Sequence, residues 1–316
     1  MHRSGGAGLW CVLRGYARPV PRIGLVLGAG GTAGQAFHAG VLSALADAGW
    51  DARGAEVVVG TSAGSIAAAL LRAGVAPATM RSRGTSRRGG SSAPLVPDPP
   101  VPAAVEAAAL APGRASVGGL LSRLVPEGTR SVGGIVTMVR GAAGDAWPDP
   151  ATYVCAVRRR DGRRVVFGRA GAPPAPLPLA VAASCAIPGY FTPVRIGDEA
   201  YVDGGAHSPT NLDLLAGLGL DAVVVSSPMS VARGGLGARA DLPARLLFRA
   251  TLAREARRVR AAGTPVVTLQ PGAEDLAVTG LNAMDPGPWA PMVEQAEATT
   301  RRRLQDPAVA RLLTGP

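Results

Sequence analysis

Ile23-Gly24-Leu25-Val26-Leu27-Gly28-Ala29-Gly30-Gly31-Thr32-Ala33-Gly34 and, further on, Val57-Val58-Val59-Gly60-Thr61-Ser62-Ala63-Gly64 are built alike. In each, a short apolar run of strand length ends in glycine, and helix-periodic sequence follows. After the first, Phe37, Val41, Leu42 and Leu45 share one helical face, which stops at Gly49. After the second, Ile66, Leu70 and Leu71 do the same and close near Gly74. Strands that are apolar throughout, alternating with helices, are the pattern of a parallel sheet covered on both faces. The spacing therefore predicts an α/β fold: three α/β/α layers around a mostly parallel central sheet.

The rest of the chain extends this plan. Ala222–Val225 and Val266–Leu269 read as further buried strands, and Thr152–Val157 with Arg164–Phe167 as a hairpin around Asp161-Gly162. Gly197-Asp198 is expected to turn between Val194–Ile196 and Ala200–Val202. Asn211 is placed to cap a helix through Leu212, Leu215 and Leu218. An arginine-rich helix is expected over Leu242–Ala262, and a last helix over Trp289–Leu313. The stretch Ala175–Phe191 lacks charge, but its prolines argue against a helix. Residues 1–21 read as a loose extension and 22–316 as a single domain. That domain carries a loop-rich insertion near 81–130, where Gly, Ser, Arg and Pro dominate from Arg81 to Pro102.

Composition narrows the function. With 47% hydrophobic residues in a chain of 316, a sizeable core is expected, and aromatics at 4% leave it to small and branched side chains. The net charge is +11 and the chain has no lysine, so arginine carries the basic character. Clusters such as Arg158-Arg159-Arg160 and Arg301-Arg302-Arg303 suit an anionic lipid or phosphate surface, or simply a solvated face. No basic stretch is interleaved with aromatics, which argues against nucleic acid as a partner. Cys11, Cys155 and Cys185 have no disulfide or metal-ligand spacing, and Cys155 sits in an apolar run as a core residue does. A reducing, cytoplasmic setting fits. The apolar stretch Leu9–Leu13 is too short for a secretory signal, and no run is long enough to span a bilayer, so contact with a membrane would be peripheral.

The two glycine segments also carry the chemistry. Gly60-Thr61-Ser62-Ala63-Gly64 fits a nucleophile elbow, where a serine sits on a tight strand-to-helix turn. Side chains at Gly60 or Gly64 would collide with the neighbouring strand or helix. The loop Gly28–Gly34 leaves backbone N–H groups free to point at an anion. A serine hydroxyl needs a base. Of His2, His38 and His207, only His207 is placed to complete a Ser–His–Asp triad, and His38 reads as structural. Asp203 ends the run Ala200-Tyr201-Val202 and precedes Gly204-Gly205, so its carboxylate stands at a strand end with backbone close by. A different reading takes Gly28-x-Gly30-x-x-Ala33 as a dinucleotide fingerprint, with Asp47 or Asp51 as the ribose-binding acid.

Taken in order, Gly28–Gly34, Gly60–Gly64 and Asp203-Gly204-Gly205 resemble the patatin-like phospholipase family. Gly40-Val41-Leu42 and the stretch Ala183–Val194 agree with it, so that the resemblance covers roughly Arg22 to Leu218. It implies a serine acyl hydrolase that cleaves carboxylic esters of lipids, as a phospholipase A or lysophospholipase does. Ser62 is then the nucleophile and Asp203 its base, in a dyad that passes through an acyl-serine. Backbone N–H groups of Gly30, Gly31 and Thr32 form the oxyanion hole, and neither metal nor organic cofactor is implied. A general carboxylesterase with a triad through His207 and a non-catalytic lipid-binding module are the alternatives. One position departs from the family: its loop usually carries Arg or Lys before the last glycine, and here stands Ala33. A positive charge near the oxyanion is then either missing or supplied by an arginine elsewhere.

Overall fold

A computed structural model describes residues 21–86, 124–235 and 239–314. The expected N-terminal extension up to residue 20, and most of the expected insertion, from Arg87 to residue 123, lie outside the described residues.

Eight strands among these residues form one sheet: β1 (Ile23–Leu27), β2 (Val57–Thr61), β3 (Ala151–Arg158), β4 (Arg163–Phe167), β5 (Val194–Ile196), β6 (Glu199–Asp203), β7 (Ala222–Ser226) and β8 (Val266–Leu269). The path across it is β5-β6-β3-β2-β1-β7-β8, with β4 paired to β3 off that path. The run β3-β2-β1-β7-β8 is parallel, and β4, β5 and β6 join antiparallel. The helices are α1 (Gly31–Asp47), α2 (Ala63–Arg72), α3 (Pro77–Ser86), α4 (Gly133–Ala143), α5 (Leu177–Ser184), α6 (Leu242–Ala261), α7 (Ala273–Val278), α8 (Trp289–Leu304) and α9 (Pro307–Thr314).

Strand alternation sorts the core into two layers, because successive side chains point to opposite faces. Leu25, Leu27, Val58, Val154 and Val224 meet α1, α2, α5 and α8 on one face. Val26, Val57, Val59, Val223 and Val225 meet Leu252, Ala256 and Val259 of α6 on the other, beside Leu212 and Leu215. The three-layer α/β/α fold with a mostly parallel sheet is thus as the sequence predicts.

Four local expectations are corrected. Leu177–Ser184 is helical despite its prolines, because Pro178 sits in the first turn, where its missing N–H has no intrahelical role. The expected helix from Asn211 is only a 3₁₀ turn, Leu212–Leu215, and Asn211 makes no capping bond. The last helix is split into α8 and α9, since Pro307 cannot donate to the turn before it and instead opens a new helix. Helix α3 covers Arg81–Ser86, the start of the stretch expected as loop.

Candidate active site

The pairing around β3 brings the two key strand ends together. On one side of β3, β2 runs parallel and ends with Thr61 opposite Cys155. On that same side, β6 runs antiparallel and ends with Asp203 opposite Ala156. Both lie across β3 from β4, which pairs with Val154 through Arg158. The carboxyl ends of β2 and β6 therefore meet head to head, one β3 residue apart. The chain leaves β2 through Ser62 and leaves β6 through Gly204.

Ser62 sits in the turn from β2 into α2 with φ 52° and ψ −120°, a conformation rare for a side-chain-bearing residue. The turn closes because α2 begins against β1: a Cβ on Gly64 would overlap the Leu27 carbonyl. Gly60 is likewise crowded, by the Ser65 backbone. Ser184, the last residue of α5, braces the turn. Its hydroxyl accepts from the Ser62 N–H at 2.9 Å and donates to the Cys155 carbonyl at 2.6 Å.

Asp203 is 5% exposed; its carboxyl accepts a hydrogen bond from the Gly205 N–H at 2.7 Å and lies beside the Ser62 hydroxyl. Burial pushes its pKa up to about 7, against the pull of those two groups. Gly204 lets the chain leave β6 beside β3, since a Cβ there would overlap the Cys155 carbonyl. The thiol of Cys185 lies beside both groups and meets the Ser65 hydroxyl at 3.7 Å, and burial holds it far above the ordinary range.

The glycine loop spans the same place. Gly28 N–H donates to the Ser226 carbonyl, Ala29 N–H to the Pro209 carbonyl, and Gly34 N–H to the Gly30 carbonyl. The N–H groups of Gly30, Gly31 and Thr32 at the start of α1 have no hydrogen-bond partner among the described residues. Ala29 lies 3.5 Å from where a Gly205 side chain would begin, and Ala63 3.5 Å from where one on Gly34 would. One loop therefore touches both the Asp203 turn and the Ser62 turn, with its free amides between.

His38 is structural. Its Nε2 meets the Gly28 carbonyl and its Nδ1 the Ser226 hydroxyl, both at 2.8 Å. The carbonyl can only accept, so Nε2 carries the proton. Burial drops its pKa to about 4. No hydrogen bond joins the His207 ring to Ser62 or Asp203 among the described residues. Its Nδ1 is buried without a partner, and burial lowers it too, to about 4. The dinucleotide reading loses its acid. Asp47 ends α1, the far end from the glycine loop, and pairs with Arg301, while Asp51 pairs with Arg53.

Ala33 lines a cleft of about 50 Å³ together with Gly30, Gly34, Pro228, Phe248 and Arg245. The positive charge there is Arg245, whose guanidinium donates to the carbonyls of Pro228 and Ser230 and to Asp241. Both arginine clusters are neutralised locally. Arg158, Arg159 and Arg160 pair with Asp161, Glu127 and Glu199. Arg301, Arg302 and Arg303 pair with Asp47 and Glu297, Glu274, and Asp306. Among the described residues no helix is long and apolar enough to cross a membrane.

Sequence reasoning missed Ser184 as a brace and Asn211 as a link. Ser184 stood inside the stretch Ala183–Val194, so its neighbourhood was flagged but not its bond. Asn211 donates to Thr61 Oγ1 at 3.0 Å and accepts from Arg164 at 3.1 Å, contacts that no local pattern announces.

The family model described as patatin-like phospholipase matches residues 25–216, which run from β1 past the Asp203 turn. The chain belongs to the patatin-like phospholipase family. No curated protein sequence matches it well enough to count as a relative. Among solved structures it is similar to the type III effector protein ExoU, with 17% identity and a TM-score of 0.41, over 91% of this chain and 53% of that one. It is also similar to VipD from Legionella pneumophila, with 12% identity and a TM-score of 0.44, over 91% of this chain and 67% of that one. The chain thus spans about half the length of ExoU and two thirds of VipD.

Proposed function

We propose that this patatin-like chain is a serine acyl hydrolase that cleaves carboxylic esters of lipids. The reading places Ser62 as nucleophile and Asp203 as its base, in one domain over residues 22–316. The observation that carries it is the register that sets the strained Ser62, at the end of β2, against the buried carboxyl of Asp203, at the end of β6, whose pKa lies near 7. A base poised near the working pH combines the right protonation state with a useful driving force.

In this scheme the Ser62 oxygen attacks the ester carbonyl while its proton passes to Asp203. Negative charge gathers on the former carbonyl oxygen, and the free amides of Gly30, Gly31 and Thr32 are the available donors. A preorganised donor of this kind contributes about 10²–10³ in rate. As the tetrahedral species collapses, the C–O bond to the alcohol breaks and Asp203 returns the proton to the departing oxygen. Water then attacks the acyl-serine, giving its proton to Asp203, which passes it to Ser62 as the fatty acid leaves. The dyad is favoured over a triad because the Asp203 carboxyl lies beside Ser62, while the His207 ring bonds neither among the described residues. The enzyme is read as cytoplasmic, meeting its aggregated substrate at an anionic membrane surface from outside the bilayer.

The test is hydrolysis of phospholipid, lysophospholipid and simple aryl esters by wild type, Ser62→Ala and His207→Ala. Wild type and His207→Ala should turn over at least one ester, and Ser62→Ala none. Loss of turnover in His207→Ala with an intact fold would favour the triad, and full activity in Ser62→Ala would overturn the assignment.

A further inference from the structure

The loop 208–212, just beyond the Asp203 turn, touches both other parts of the site. The Pro209 carbonyl accepts from the Ala29 N–H of the glycine loop at 2.8 Å. The Asn211 side chain donates to Thr61 Oγ1, next to Ser62 in sequence. The loop is not held by a regular ladder: Asn211 has φ 53°, and the Thr210 and Asn211 N–H groups bond only to the Ser208 hydroxyl oxygen.

Its anchor comes from α6, the helix on the same face of the sheet. Glu255, on α6, is 7% exposed and points into this loop. Its carboxylate accepts from the Thr210 hydroxyl at 2.6 Å and from the Leu212 N–H at 3.0 Å. Among the described residues no arginine pairs with it. A carboxylate buried without an ion-pair partner is costly, and what it receives in return is two donors from one irregular loop.

We propose that Glu255 is a positioning residue for ester hydrolysis. Through Thr210 and Leu212 it fixes the loop that sets the glycine-loop amides against the Ser62 turn. This rests on the assignment of Ser62 and the glycine loop made above. A shift of the loop would move Pro209, then Ala29, then the free amide of Gly30 beside it.

The experiment measures kcat and KM on a soluble aryl ester, with each protein's active sites counted by fluorophosphonate titration. The proteins are wild type, Glu255→Ala, Glu255→Gln, Thr210→Val and Leu313→Ala. Backbone amide exchange over 28–34 and 208–212 is followed in parallel. Glu255→Ala should lower kcat per titrated site toward the roughly 10²-fold loss that a 1 Å misplacement causes, with KM little changed. Glu255→Gln, which keeps an acceptor for Thr210 and Leu212, should recover much of it, and Thr210→Val should show a smaller loss. Leu313→Ala, a truncation in the core on α9, should lower Tm but keep kcat per titrated site. Exchange over both segments should speed up in Glu255→Ala and not in Leu313→Ala. Wild-type kcat per titrated site in both Glu255→Ala and Thr210→Val would overturn the proposal. If Glu255→Ala does not fold, Thr210→Val decides alone. If wild type hydrolyses no ester, the assignment of Ser62 fails, and the exchange comparison still decides whether Glu255 tethers the glycine loop.

Discussion

At the scale of single residues, the site is governed by where Asp203 puts its proton. Burial raises its carboxyl to about 7, so below that pH it is protonated and cannot take the proton of Ser62. Activity should therefore rise with pH through about 7 and level off above it. A kcat/KM profile flat from pH 5 to 8 would contradict the dyad. The same shift predicts a stability effect. The folded-state pKa lies above the ordinary 3.8, so the folded chain binds a proton that the unfolded chain has lost. Asp203 thus costs stability progressively as pH rises from about 4 to 7, and the penalty is complete above that. Asp203→Asn should be more stable than wild type at pH 8 and inactive, with the advantage fading toward pH 4. Thermal melts of both proteins across this range measure it. His38 and His207 act in the opposite sense. Both are held neutral by burial, with pKa near 4 against 6.5, so each removes stability as pH falls from about 6.5 to 4. Replacing His38 by Gln, which can still donate to the Gly28 carbonyl, should flatten this acid limb.

At the scale of elements, the site depends on the packing of α2 against β1. Gly64→Ala forces a methyl into the Leu27 carbonyl, and overpacking of this kind costs about 1–3 kcal/mol, occasionally more. Denaturant titration should show that loss together with a fall in activity, because the turn carrying Ser62 has to shift. Unchanged stability would mean that α2 does not start where it is placed here. Gly64 also shows what the sequence could reveal. Strand, glycine and helix succeed each other along the chain, so β1, α1, β2, α2 and the turn at Ser62 follow from local pattern. The same holds for the hairpin β3–β4 and for the strand that ends at Asp203. What local pattern lacks is the register that sets β2 and β6 end to end along β3, a pairing between residues far apart in the chain. Ser184 and Asn211 bond into that junction, and Glu255 reaches its loop from 45 residues further along the chain, so no local pattern announces their roles. Proline misled twice, once where it sits harmlessly in the first turn of α5 and once where it starts α9 afresh.

At the scale of the whole molecule, the two layers are unequal. One face of the sheet is covered by α1, α2, α5 and α8, the other by α6 and the 3₁₀ turn Leu212–Leu215. Leu252 is 3% exposed in that thinner layer, and Leu252→Ala should lower stability by about 2–5 kcal/mol in equilibrium unfolding. A loss below about 1 kcal/mol would mean that the layer collapses around the gap. The clusters Arg158–Arg160 and Arg301–Arg303 are spread through ion pairs, so neither is a bare cationic patch. All of this architecture converges on one serine facing one carboxyl at two meeting strand ends. The most direct measurement is the site of reaction with a fluorophosphonate, read by peptide mass spectrometry at pH 8 on wild type and Asp203→Asn. A single adduct on Ser62 in wild type, formed much more slowly in Asp203→Asn, is the predicted result. No adduct on Ser62, or labelling at the same rate in both proteins, would contradict it.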